Sequence, residues 1–344
     1  MVVERATRKA AERRRCLITG GAGFIGSHLT DHLLALGHRV TVVDNLSTGR
    51  RDNLAPALAG PHAASLRVIE GDLSRVLRAE LVAERFDHVY HLAAAVGVQR
   101  IVDRPIECIE ANVIDTAELL RYAAEHGTAG GPARTLIASS SEVYGKSAKT
   151  PFSESDDCVY GPTTAWRWSY ATSKAIDEYL ALAWHAQRSL PVVITRFFNT
   201  VGPRQVGDYG MVLPRFVSAA LRGVPLHVYG DGKQTRCFCD VRDIVPALVR
   251  LMDKPRALGL VVNLGSDTPV SIRELAERVL KTLRSGSPIE PIPYDRAYGP
   301  GFEDLHRRQP DLTRARDLIG FSPATPLEDT IRAIADTLRS PPPA

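Results

Sequence analysis

The feature that most constrains this chain is a glycine-spaced turn, Gly20-Gly21-Ala22-Gly23-Phe24-Ile25-Gly26, set between an apolar run at Cys16–Thr19 and a helical pattern from about Phe24 to Leu36. Small residues there let a backbone approach a pyrophosphate closely. The helix that follows offers free N–H groups and the positive end of its dipole. Strand, glycine turn and helix in that order predict a dinucleotide-binding β-α-β unit, with an ordinary tight turn as the other reading. Asp44 ends a second strand (Val40–Val43), 18 residues beyond Gly26. A carboxylate at that point accepts both adenosine ribose hydroxyls and repels a 2′-phosphate, which favours NAD over NADP. Arg50 and Arg51, just downstream, pull the other way. Asp72 follows another short strand and can reach the adenine amino group or cap the next helix.

Further apolar runs at Leu66–Glu70, His88–His91, Thr135–Ser139 and Val192–Arg196 alternate with helical stretches. That alternation predicts an α/β chain: a Rossmann-type doubly wound parallel sheet over 15–200, with helices on both faces. Beyond residue 200, glycine, proline and longer loops interrupt helices near Pro214–Arg222, Val241–Met252, Ser271–Leu283 and Leu327–Leu338. These predict a smaller C-terminal α/β substrate lobe over 201–338, between which and the sheet the chain can cross. Residues 1–14 read as a basic disordered leader and 339–344 as a disordered tail.

Charge excludes one class of partner. The net charge of +4 equals the surplus of the first 15 residues, where six Arg and Lys face Glu4 and Glu12. The body is neutral and offers no surplus for nucleic acid. No secretory signal follows the basic stretch, and no apolar run is long enough for a membrane span. Five cysteines (16, 108, 158, 237, 239), without CxxC spacing, indicate neither a disulfide framework nor a metal site, and fit a reducing cytoplasm. On a strand, Cys237 and Cys239 would share a face.

Tyr170 and Lys174 sit four residues apart in a helix-forming stretch, so both project from one face. A nearby ammonium and a positive nicotinamide ring would stabilise the phenolate, allowing Tyr170 to act as a general base at neutral pH. Ser139, Ser140, Ser141 and Glu142 close a strand at the sheet edge where ligands collect. A serine there can bond a sugar oxygen, and Glu142 can exchange protons with the ring; a plain turn remains open for Ser139.

In order along the chain stand Thr-Gly-Gly-Ala-Gly-Phe-Ile-Gly (19–26), Asp-Asn-Leu (44–46), His-Leu-Ala-Ala (91–94), Ser-Ser-Ser-Glu-Val-Tyr-Gly (139–145), Tyr-x-x-x-Lys (170–174) and Arg-Phe-Phe-Asn-x-x-Gly-Pro-Arg (196–204). Together they resemble the extended short-chain dehydrogenase/reductase family of nucleotide-sugar epimerases, dehydratases and decarboxylases, from about residue 15 to 335. The resemblance implies a homodimer and bound NAD, with the sugar oxidised at C4. It places Gly20, Gly23, Phe24, Ile25, Gly26, Asp44, Asn45, Asp72, Leu73, Leu92, Ala93, Ala94, Tyr170 and Lys174 at the cofactor. It assigns Ser140 and Tyr170 to the oxidation, with Ser141 and Glu142 beside them, and Asn199, Arg204 and Arg236 to the nucleotide diphosphate. For Arg236 a surface ion pair is the other reading.

Three features bear on the reaction. Ser141-Glu142 lacks the Asp-Glu pair of the dehydratases and looks like the uronic-acid decarboxylases. Arg167, in Arg-Trp-Ser-Tyr, lies one helical turn from Tyr170. Arg308, in Arg-Arg-x-Pro-Asp, is similar to an arginine that decarboxylases place near the substrate carboxylate. Arg167 can instead stack on Trp166 or Trp168, and Arg308 can pair with Asp304 or Asp311. The expectation is an NAD-dependent UDP-glucuronate decarboxylase giving a UDP-pentose or its 4-keto form. A UDP-sugar 4-epimerase is the alternative and a 4,6-dehydratase the weaker one. A silent nucleotide-binding sensor is the competing class; the intact Ser140, Tyr170 and Lys174 argue against it. An ordinary alcohol dehydrogenase would need stoichiometric NAD, and the C-terminal nucleotide-sugar motifs argue against that.

Overall fold

The structure is a computed structural model describing residues 13–95, 103–207, 211–293, 296 and 307–339. Strands β1 (Arg15–Thr19), β2 (Arg39–Asp44), β3 (Leu66–Glu70), β4 (His88–His91), β5 (Arg134–Ser140) and β6 (Val192–Phe197) join a seventh, Leu260–Leu264, in one sheet. Its order is Leu260–Leu264, β6, β5, β4, β1, β2, β3, and every neighbouring pair is parallel. The central strands are continuous apolar runs because both faces are covered; all four residues of β4 are buried. Chain order reverses between β1 and β4, which opens a crevice at the carboxyl edge of the sheet.

On one face the helix Phe24–Ala35 packs through Leu29 and Leu33 against Val42, and Val241–Met252 joins the same cluster through Ile244 and Leu248. On the other face Leu73–Ala79, Pro105–Glu125 and Arg167–Arg188 pack Leu77, Leu119, Leu120 and Ala181 against Ile137 and Ile194. A third cluster holds the lobe together, with Phe216 of Val212–Arg222, Leu275 of Ile272–Leu283 and Ile331 of Leu327–Arg339. Ser271 proves to be the N-cap of its helix, its hydroxyl accepting the Glu274 N–H at 3.1 Å.

The break expected at residue 200 is not a clean one. Val241–Met252, the Leu260–Leu264 strand and Thr313–Ile319 all belong to the sheet layers. Their apolar faces are buried against β-sheet and Phe24–Ala35, so the lobe is built from what lies between them. Residues 1–12 of the leader and 340–344 of the tail lie outside the described residues. Arg13 and Arg14, counted with the leader, are tied to the body: Arg13 donates to Ser65 Oγ at 2.8 Å, and Arg14 pairs with Asp253. All five cysteines are free thiols, four of them buried. Of the pair 237 and 239 only Cys239 lies in a strand, the two-residue Cys239–Asp240. Among the described residues no helix is long and apolar enough to cross a membrane.

Candidate active site

A cavity of about 970 Å³ opens at the carboxyl edge of the sheet, roofed by the lobe. Every expected site residue except Arg204 lines it.

At one end lies the glycine turn. Gly20 has φ +71°, and a Cβ there would stand 2.7 Å from the Ala93 backbone nitrogen. A Cβ on Gly26 would stand 2.1 Å from the Gly20 carbonyl oxygen. The turn closes with the Gly23 N–H donating to that carbonyl at 3.1 Å. Asp44, buried, accepts the Ala22 N–H at 2.9 Å and the Leu46 N–H at 2.8 Å. Burial pushes its carboxyl up, and the backbone N–H groups oppose that. Asp72 stands at the N-cap of Leu73–Ala79 but makes no capping bond; its carboxylate accepts the Asn45 amide at 3.0 Å instead. Arg51 pairs with Glu70 at 3.8 Å, both largely exposed. A cradle that excludes any Cβ, beside a buried carboxylate with lone pairs left over, fits a dinucleotide carrying free ribose hydroxyls.

The reacting end is built on Arg167–Arg188 and the turn after β5. The Ser140 hydroxyl hydrogen-bonds the Tyr170 phenol and accepts the Glu142 N–H at 3.2 Å. Burial pushes the Tyr170 phenol up, the Glu142 charge adds to that, and the Ser140 bond opposes it. The expected lowering by Lys174 is not what this arrangement gives. The Lys174 ammonium donates at 2.7 Å to Asp177 of the same helix, with the two side chains 2% and 0% exposed. Ser139 is not in a loose turn: it is buried at the end of β5 and donates to Glu178 Oε1 at 2.5 Å.

Glu142 lies among guanidinium groups. Arg308 is 2.5 Å from one carboxylate oxygen and Arg167 is 3.5 Å from the other. Burial alone would push the Glu142 carboxyl up; Arg308, Arg167 and Arg236 together outweigh it and hold the group below the usual carboxylate range. Arg236 and Arg308 come together by strand pairing. Thr235–Arg236 runs parallel to Arg307–Arg308, with those two arginines in register. The register is held further on, where the Phe152 N–H donates to the Gln309 carbonyl and the Asp311 N–H to the Phe152 carbonyl, both at 2.8 Å. Arg308 thus pairs with Glu142 rather than with Asp311; Asp304 lies outside the described residues. Arg167 does both things open to it, since its guanidinium also sits 4.9 Å from the Trp168 ring centre. Arg236 is buried, not a surface ion-pair residue.

Arg204 is a correction. It has φ +66° and turns away from the cavity to pair with Asp31 on Phe24–Ala35 at 2.7 Å. Its neighbour Gln205 lines the cavity in its place. Asn199 lines it too, with its side-chain amide donating to the Cys237 carbonyl at 3.4 Å. Sequence reasoning missed Thr200, Gln205, Arg215, Tyr229 and Gln234, all cavity-lining. Thr200 Oγ1, Gln205 Oε1 and Arg215 Nε are buried polar atoms with no protein partner among the described residues. The Arg215 guanidinium lies 4.2 Å from the Tyr229 ring centre. Leu-Pro-Arg-Phe at a helix start and Tyr-Gly-Asp-Gly were the available signals.

The chain belongs to the NAD dependent epimerase/dehydratase family, whose profile matches residues 16–265. It is 41% identical to the UDP-N-acetyl-alpha-D-glucosaminuronate decarboxylase of Bacillus cytotoxicus, over 93% of this chain and 96% of that one. It is 37% identical to UDP-glucuronic acid decarboxylase 2 of Arabidopsis thaliana, over 94% of this chain and 68% of that one. Among solved structures, an epimerase of Methanothermobacter thermautotrophicus superposes with a TM-score of 0.84 at 29% identity, covering 96% of this chain and 93% of that one. The chain is therefore an NAD-dependent enzyme of the epimerase/dehydratase class, as the motifs implied.

Proposed function

We propose that this enzyme decarboxylates a UDP-linked hexuronate, UDP-glucuronate or its 2-acetamido counterpart. The observation that carries the reading is the cluster of three arginines around Glu142, within the same cavity as Ser140 and Tyr170. A 4-epimerase needs the phenol and the serine; it has no use for three guanidinium groups at the sugar. The decarboxylase names of the two relatives support the same choice.

The cofactor is held by the glycine turn, Asp44, and Tyr170 with Lys174; when bound, NAD supplies the hydride acceptor for C4. Tyr170 takes the proton of the C4 hydroxyl, and Ser140 holds that oxygen against the phenol. Arg308 and Arg167 hold the substrate carboxylate in a fork geometry that matches its two oxygens. Once C4 is a ketone, the carboxylate is β to it. The C5–carboxyl bond breaks, carbon dioxide leaves, and the electron pair is received by the C4 oxygen as an enolate. Ser140 and Tyr170 stabilise that oxyanion. C5 then needs a proton.

Glu142 provides it. With the uronate bound, two carboxylates share one arginine cluster, and like charges at close range disfavour the doubly ionised state. Glu142 takes up a proton on binding and delivers it to C5. Asn199, Arg236 and Arg215 hold the diphosphate and base, the guanidinium groups matching phosphate oxygens.

We assign the enzyme to the cytoplasm as a homodimer. Free cysteines support the first. For the second, Ile106 of Pro105–Glu125 is 71% exposed and Tyr179 of Arg167–Arg188 is 74% exposed, on two adjacent helices. The test of the reaction is mass spectrometry of the products from UDP-glucuronate and UDP-N-acetylglucosaminuronate. A product lighter by carbon dioxide is expected from one or both. An unchanged mass at a new retention time would favour epimerisation and overturn the reading.

A further inference from the structure

Lys174 and Asp177 form an ion pair with almost no access to water. The Lys174 ammonium has no other printed partner in the protein, and it lines the cavity. Asp177 Oδ2 takes that bond; Oδ1 is buried and makes no regular hydrogen bond among the described residues. The Thr116 hydroxyl lies beside the carboxylate. It also meets His91 Nε2 at 3.0 Å, and His91 Nδ1 meets the Thr19 hydroxyl at 2.7 Å. A polar chain thus runs from the end of β1 under the nicotinamide end of the cavity to Asp177.

We propose that Asp177 is a positioning residue: its carboxylate keeps Lys174 charged and oriented one helical turn from Tyr170. A buried amine without a carboxylate partner is driven toward its neutral form. Nothing else nearby replaces Asp177. From its own helix, Glu178 is bound bidentately by Arg196 of β6, at 2.9 and 2.7 Å. From β4, His91 is neutral, its ring held at about 3 by burial and by Lys174. From the turn after β5, Glu142 belongs to Arg308 and Arg167, and Arg308 comes from the returning segment. The residues of Pro105–Glu125 facing the pair, Asn112 and Thr116, carry no charge.

The inference rests on the oxidation step proposed above, and its test separates the two. Wild-type holoenzyme and the variants Asp177→Asn and Asp177→Glu are compared for the rate of absorbance change at the NADH band in single turnover with UDP-glucuronate, across pH. In Asp177→Asn the ammonium loses its proton as pH rises, and the rate falls with it. The basic limb moves down by at least about one pH unit, while Asp177→Glu keeps the wild-type profile. Retained NAD and an unchanged far-ultraviolet dichroism spectrum identify folded protein. A wild-type enzyme with no absorbance change sinks the oxidation step itself. A normal wild-type change with an Asp177→Asn profile parallel to it sinks the role of Asp177 alone. Should Asp177→Asn fail to fold, Asp177→Glu carries the test: a displaced limb there contradicts the proposal, because the charge is still present.

Discussion

The Arg308 guanidinium stands 2.5 Å from the Glu142 carboxylate, and the two residues are brought there from opposite ends of the chain. One arrives at the end of β5; the other arrives on a two-residue strand beside Arg236. The protein's own carboxylate occupies the cradle in which we place the carboxylate of the substrate.

Arg308→Ala should therefore act on uronates selectively. A charge-assisted contact of this kind is worth about 2–3 kcal/mol, so kcat/KM for UDP-glucuronate should fall about 100-fold. Steady-state kinetics check this. Parent-like kinetics in the variant would remove Arg308 from the carboxylate site.

Glu142→Gln separates binding from turnover. Without the competing charge the arginines are left to the substrate, so the dissociation constant for UDP-glucuronate should fall while kcat collapses. In the parent enzyme, binding at neutral pH should take up as much as about one proton per site, because the depressed Glu142 carboxyl rises when a second carboxylate arrives. Calorimetric titration in buffers of different ionisation enthalpy reads that number. Zero uptake would assign the C5 proton to water.

At the cofactor end, Gly26→Ala places a methyl group 2.1 Å from the Gly20 carbonyl oxygen. The turn must open to admit it, so purified protein should carry no NAD and unfold at a lower temperature. Full NAD occupancy in this variant would contradict the placement of the pyrophosphate.

The acid side of stability should depend on His88. Burial holds its ring at about 4, below the ordinary histidine value. The unfolded chain takes up that proton near pH 6.5 and the folded chain only near 4. The contribution of the neutral ring is complete above the unfolded value and is lost as pH falls between the two. It amounts to up to about 3 kcal/mol. Thermal unfolding of the parent should weaken from pH 7 to pH 5, and His88→Leu should flatten that slope.

What could be read from the sequence was local. Gly20, Gly23 and Gly26 are a turn by their spacing, and Tyr170 and Lys174 share a helix face by theirs. Their neighbours in space were hidden. Arg204 stands in a motif that pointed to phosphate, yet its positive φ turns it to Asp31, and only the packing of Phe24–Ala35 shows that. Asp177 is one of several acids on its helix; that it takes the Lys174 ammonium follows from burial, which no pattern states. Arg215 and Tyr229 meet because Val212–Arg222 packs on Leu226–Tyr229. The Leu260–Leu264 strand was overlooked because it returns to the sheet after 60 residues of lobe and helix, where alternation no longer guides the reading.

The central claim is that a hexuronate must be oxidised by way of Tyr170 before its carboxylate can leave. Carbon dioxide released from UDP-glucuronate labelled at the carboxyl carbon measures this directly. Stoichiometric labelled carbon dioxide from the parent, and none from Tyr170→Phe with its NAD retained, is the expected result. No release by the parent on either uronate, or undiminished release by Tyr170→Phe, would contradict it.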